Sequence, residues 1–131
     1  MTPLPAMSEL RRSDAARSVL LDITPELTPF DGHFPGTPIL PAVAQIDWAL
    51  RIARASFVLP PHFRGLRALK FLHIVQPPAA ITLELTRSAD GRSVSFSYVR
   101  AGTACSSGRI EFAEHEFVPE IATKIDPKIE Q

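Results

Sequence analysis

One cysteine, Cys105, is all the thiol chemistry this 131-residue chain holds, so no disulfide can close within it. Set in a strand-like segment, it reads as a packing residue. An excess of charge of either sign is also missing, since 14 Lys and Arg balance 14 Asp and Glu. Zero net charge offers no bulk attraction to nucleic acid or to a membrane surface, and neither is expected as a partner. No uninterrupted apolar run approaches the ~20 residues of a membrane-spanning helix, so membrane insertion is not expected. The opening MTPLPAMSELRRSDAAR lacks the apolar core of a secretory signal, and the expected location is the cytoplasm. The four histidines, His33, His62, His73 and His115, show no ligand spacing, so no metal and no cofactor are expected. Of these, His62, His73 and His115 read as solvated or structural.

What is present suits one domain of ordinary size. Residues 1–16 are expected as an N-terminal segment, either loose or forming a short helix over SELRRSDAAR (8–17) with Ser8 as its N-cap. The domain proper is expected over 17–117, followed by a flexible polar tail over 118–131. RSVLLDIT (17–24) reads as a first strand. Within 41–55, Val43, Ile46, Ala49, Leu50 and Ala53 recur at helical spacing, and Ala44, Trp48 and Ile52 extend the apolar surface until it nearly encircles the helix. Such a helix is expected to be buried, with Gln45, Asp47, Arg51 and Arg54 its only polar interruptions. Four strands should follow, over 65–75, 79–88, 92–101 and 103–117, punctuated by Pro77-Pro78, Asp90-Gly91 and Gly102. One early helix covered by an antiparallel meander of five or six strands is an α+β layered domain. Its open sheet edges make oligomerisation a natural way to cover them.

The densest stretch is FDGHFPGTPILPAVAQIDWAL (30–50), with prolines at 35, 38 and 41 and one carboxylate in the apolar run. His33 sits between Asp31-Gly32 and Pro35-Gly36, which shape the backbone tightly on both sides. Histidine is the side chain best suited to take a proton near neutral pH. The residues leave two readings open for Asp47. Arg51 four positions on favours a solvated i,i+4 ion pair, whereas the neighbouring Val43, Ala44, Trp48 and Leu50 favour a carboxyl raised in pKa that acts as an acid. Unpaired N–H groups around Pro41–Val43, with the positive end of the helix dipole behind them, supply a place for developing negative charge. A base, an acid and an anion site are the parts for removing a proton α to a carbonyl and expelling a β-hydroxyl.

HFPGTPILPAVAQID resembles the active-site segment of the hotdog-fold 3-hydroxyacyl-(acyl-carrier-protein) dehydratases of the FabZ and FabA type. His33, Phe34, Gly36, Pro38, Ile39, Leu40 and Pro41 match that pattern in register, and Asp47 falls on its acidic position. Gln45, Asp47 and Trp48 are similar to a subgroup associated with aryl-polyene lipid pathways. The resemblance implies a long helix wrapped by a curved antiparallel sheet, homodimers or higher homo-oligomers joined at sheet edges, and an acyl carrier protein that brings the substrate. It implies His33 as base, Asp47 as acid inside an acyl tunnel, and a site completed across two subunits. Ala42 N–H would hold the thioester oxygen, while Gly36, Phe34, Trp48 and Phe71 would shape or line the substrate site. Two departures stand out: Ala42 replaces the family glycine, and Pro77-Pro78-Ala79 keeps only the first residue of the family's Pro-Gly-Asp turn. Arg64, Arg67 and Lys70 form a small basic run suited to an acidic carrier protein, or simply a solvated strand end. Two rivals remain open, a hotdog acyl thioesterase using Asp47 on the same thioester, and a catalytically weak acyl-binding or partner subunit.

Overall fold

Alternation in the C-terminal half becomes strand pairing. The computed structural model describes residues 3–27 and 38–116. Its elements are β1 (Met7–Arg12), β2 (Ala16–Ile23), α1 (Ala42–Ser56), β3 (His62–Phe71), β4 (Ala79–Arg87), β5 (Ser93–Arg100) and β6 (Thr103–Ala113). The six strands form one antiparallel sheet in the order β1-β2-β4-β5-β6-β3. One helix against one six-stranded sheet is the α+β architecture expected from the sequence.

Register explains where the core lies. Val19 of β2 stands opposite Leu83 of β4, Leu83 opposite Tyr98 of β5, and Tyr98 opposite Ser106 of β6. These residues share one face, because side chains two positions apart point the same way. All four are buried, as are Leu21, Ile81, Leu85, Val94, Phe96 and Ile110 on the same side. Against them α1 sets Trp48, Ala49, Ile52 and Ala53, all essentially inaccessible to solvent. Burying each large apolar side chain here contributes roughly 1.5–3 kcal/mol, which makes this face the main source of stability.

Two sequence expectations need correction. SELRRSDAAR is not a helix: Met7–Arg12 is a strand paired with β2, and Ser13 N–H donates to Ala16 O across the turn between them. A ten-residue helix is marginal by itself, and the β2 edge offers this segment backbone pairing along most of its length instead. All six β1 residues are exposed, and the register slips between Glu9 and Arg11, so no apolar alternation announced the strand. The helix, for its part, is buried on one face only. Val43 is 77% exposed and Ala42 and Ala55 lie open to solvent, because the sheet of a single chain covers one side of α1.

Smaller shifts have local causes. α1 begins at Ala42, with Pro41 as an extended N-cap. β3 starts at His62, directly after Pro60-Pro61, whose missing N–H groups cannot join a ladder. The Asp90-Gly91 hairpin forms as its sequence predicts. Gly91 takes a φ of +72°, and the Asp90 carboxylate accepts from Ser88 Oγ (2.6 Å) and Arg92 N–H (3.0 Å), which hold it below the usual carboxylate range. Ala101 and Gly102 both have positive φ and close the two-residue turn from β5 to β6. The tail expected over 118–131 lies outside the described residues.

Candidate active site

Pro41 gives α1 a start with no side-chain cap among the described residues. Because the first intrahelical bond runs from Gln45 N–H to Pro41 O (3.2 Å), the N–H groups of Ala42, Val43 and Ala44 have no acceptor within the helix. Beside this end runs the segment after β3. Leu72 and His73 N–H both donate to Cys105 O of β6, and Leu40 N–H donates to Val75 O (2.8 Å). These bonds hold the helix start and residues 71–75 side by side.

Between them lies a mainly apolar cleft of about 470 Å³, lined by residues that include Ala42, Gln45, Phe71 and His73. Two residues singled out from the sequence, Ala42 and Phe71, thus meet in one cavity, with exposed Val43, Leu72 and Ile74 beside them. His33, Phe34 and Gly36 lie outside the described residues. Trp48 is wholly buried in the core and is not among the cleft's lining residues, and among the described residues no acceptor reaches its indole Nε1.

Asp47 sits on α1 away from the cleft lining, its side chain 40% exposed. Its Oδ2 accepts from Arg51 Nη1 at 3.3 Å, so the i,i+4 ion pair left open by the sequence is formed. Within one chain the carboxylate is therefore not sunk in an apolar tunnel. Its charge is still felt inside: burial first, and then the Asp47 carboxylate, push the Tyr98 phenol far above its ordinary value. In the basic run, Arg67 Nε donates to Glu111 Oε1 (2.9 Å), a cross-strand pair on the sheet surface.

What sequence reading missed is a buried polar network. Gln45, only 4% exposed, donates from Nε2 to Leu40 O (3.1 Å) and accepts at Oε1 from Ser106 Oγ (2.6 Å). Its backbone carbonyl accepts from Tyr98 Oη at 2.6 Å. The register of β5 places Tyr98 on the inner face, and nothing in the sequence named its acceptor. The cleft-facing His73, Leu72 and Ile74 likewise gave no periodic signal.

Comparison with known proteins decides the lineage. Residues 9–109, well over half the chain, match the ApeI-like family, whose description is ApeI dehydratase. The chain belongs to the ApeI-like dehydratase family. Among relatives of this ApeI-like chain, the 3-hydroxyacyl-[acyl-carrier-protein] dehydratase FabZ of Oenococcus oeni is 32% identical over 90 residues, covering 60% of this chain and 64% of that one. The FabZ of Ligilactobacillus salivarius is 27% identical over 89 residues, with the same two coverages. The chain thus spans somewhat under two thirds of the length of these curated relatives. A solved structure, the dehydratase heterocomplex ApeI:P from Xenorhabdus doucetiae, matches with a TM-score of 0.76 at 28% identity, covering 82% of this chain and 96% of that one. The hotdog arrangement of helix and sheet expected from the motif is borne out.

Among the described residues no three His, Cys, Asp or Glu side chains gather as metal ligands. No described helix is long and apolar enough to cross a membrane.

Proposed function

We propose that this protein dehydrates a 3-hydroxyacyl thioester, carried on acyl carrier protein, to the trans-2-enoyl thioester in fatty-acid or polyene-type lipid synthesis. The observation that carries the reading is the HFPGTPILPAVAQID motif leading into an uncapped helix start, whose Ala42 faces an apolar cleft with Phe71.

In this reading His33 takes the proton from C2 of the acyl chain. The electron pair released forms the C2–C3 double bond as the C3–O bond breaks, and Asp47 protonates the departing hydroxyl so that it leaves as water. Ala42 N–H donates to the thioester oxygen, where negative charge gathers as the proton is lost. Gly36 and Phe34 shape the loop, Phe71 lines the acyl cleft, and Trp48 sets the packing of the helix behind it. Asp47 lies off the cleft of its own chain, which supports a site assembled from two subunits of a cytoplasmic homodimer. The acid of one copy then serves the cleft of the other.

The heterocomplex formed by the Xenorhabdus relative favours a second reading, in which this chain is one half of a pair with another dehydratase-like subunit. Ala42 in place of the family glycine fits that role, since its methyl narrows the substrate's approach.

Following enoyl absorbance with short and medium 3-hydroxyacyl thioesters, on carrier protein and on CoA, tests both. The wild type should turn over, and His33→Ala and Asp47→Asn should each lose about 10²–10⁴-fold in kcat. A wild type inert alone but active after mixing with a partner subunit supports the second reading. A wild type that releases free thiol instead of enoyl product overturns dehydration in favour of thioesterase chemistry.

A further inference from the structure

A helix start that is to offer its N–H groups to a substrate faces a conflict. The usual N-cap side chain fixes the chain's turn into the helix, but it does so by accepting from those same N–H groups. Pro41 at the N-cap avoids the competition and leaves the turn without that clamp. Gln45 supplies a different one. From within the first turn it reaches back with Nε2 to Leu40 O, while Ser106 Oγ grips its Oε1 from β6 and Tyr98 Oη grips its backbone carbonyl from β5. Leu40 is fixed on its other side by Val75. The residue just before Pro41-Ala42 is thereby tied to helix, sheet and the β3–β4 link at once, with none of the first three helix N–H groups consumed.

We propose that Gln45 is a positioning residue for the dehydration, acting through the Leu40–Pro41 turn to aim the Ala42 N–H at the thioester oxygen. The inference rests on the function proposed above and deepens it. Only glutamine chemistry meets the geometry. Leu40 O can only accept, so Nε2 must face it, and the Ser106 hydroxyl is free to donate to the Oε1 that remains. A carboxylate would lose the donor, and an aliphatic side chain would lose both bonds. Gln45 is also among the residues lining the cleft, so its placement bears directly on where a bound acyl thioester lies.

The test compares wild type with Gln45→Met, which keeps length and removes both side-chain bonds, and Ser106→Ala, which removes one bond with little bulk. Steady-state kinetics on a carrier-bound 3-hydroxyacyl thioester should show kcat reduced about 10- to 100-fold in Gln45→Met and about 3- to 10-fold in Ser106→Ala, with KM changed less than threefold. The infrared carbonyl band of a bound acyl thioester lacking the 3-hydroxyl reports the Ala42 contact without turnover. It should lie lower in wild type than free in solution, and move back toward the free position in both variants. Should Gln45→Met fail to fold, Ser106→Ala carries both readouts alone. Variants that match the wild-type kcat, or that lose kcat with the carbonyl band unmoved, overturn the proposal. A wild type that binds the thioester with a lowered band but never dehydrates it overturns the proposed function instead, and leaves the aiming role standing.

Discussion

Tyr98 shows how one side chain reports on the whole interior. It is the chain's single tyrosine, buried with its hydroxyl donating to the Gln45 carbonyl, and both burial and the nearby Asp47 charge oppose its ionisation. The folded phenol therefore titrates well above its ordinary value of 10.0. Below that value the group is neutral whether the chain is folded or not, and its contribution to stability is complete. Above it the unfolded chain sheds the proton while the folded chain holds it, so stability falls as pH rises, by about 1.4 kcal/mol per pH unit for one proton. Urea midpoints measured from pH 8 to 11 should decline above pH 10, and phenolate absorbance should rise together with unfolding rather than before it. Tyr98→Phe should lower stability at neutral pH by about 1 kcal/mol for the lost hydrogen bond and flatten the alkaline decline. A phenolate signal that appears while the protein is still folded would contradict the assignment.

Among the elements, β3 is the most irregular, with two register slips against β6. Ala68 takes a φ of +54° and the register slips between Arg67 and Lys70, a bulge that leaves Leu69 over Gly108 of β6. A Cβ on Gly108 would come within 2.6 Å of Leu69 Cδ2 and 2.8 Å of the Phe96 ring, which is itself buried. Gly108→Ala should therefore destabilise the protein by about 1–3 kcal/mol through overpacking, read as a lower denaturation midpoint with unchanged slope. The sequence hid this feature because no glycine marks the bulge. It did disclose β4, β5 and most of β6, where one buried face writes a period of two into ITLELT and SVSFSYV. β1 escaped notice because its residues are all exposed, its two apolar ones, Met7 and Leu10, do not alternate, and its strand state comes from backbone pairing with β2. The candidate motif over 30–50 was readable for its density of proline, glycine and histidine. The clamp beneath it was not, because Gln45 finds its sheet partners 53 and 61 residues away.

Across the molecule, exposed apolar side chains gather on β3, on the segment after it and at the start of α1: Phe63, Phe71, Leu72, Ile74 and Val43. The proposed homodimer would cover them. Sedimentation should give twice the chain mass for wild type and the single mass for a Phe63→Glu, Leu72→Glu double variant, whereas a double variant that stays paired would move the interface elsewhere. The opposite margin of the sheet is built differently. β1 presents Glu9, Arg11 and Arg12, with Glu9 engaged by Arg12 and Arg17, and its ladder is broken by a register slip. Charged, interrupted margins resist the addition of further strands. A sheet with two adhesive margins would template endless growth. Here one margin gathers its apolar side chains together, while at the other Met7 and Leu10 stand among charges on a broken ladder, so copies that meet through the first should recruit further copies poorly through the second, and concentration alone should not turn the protein into fibres.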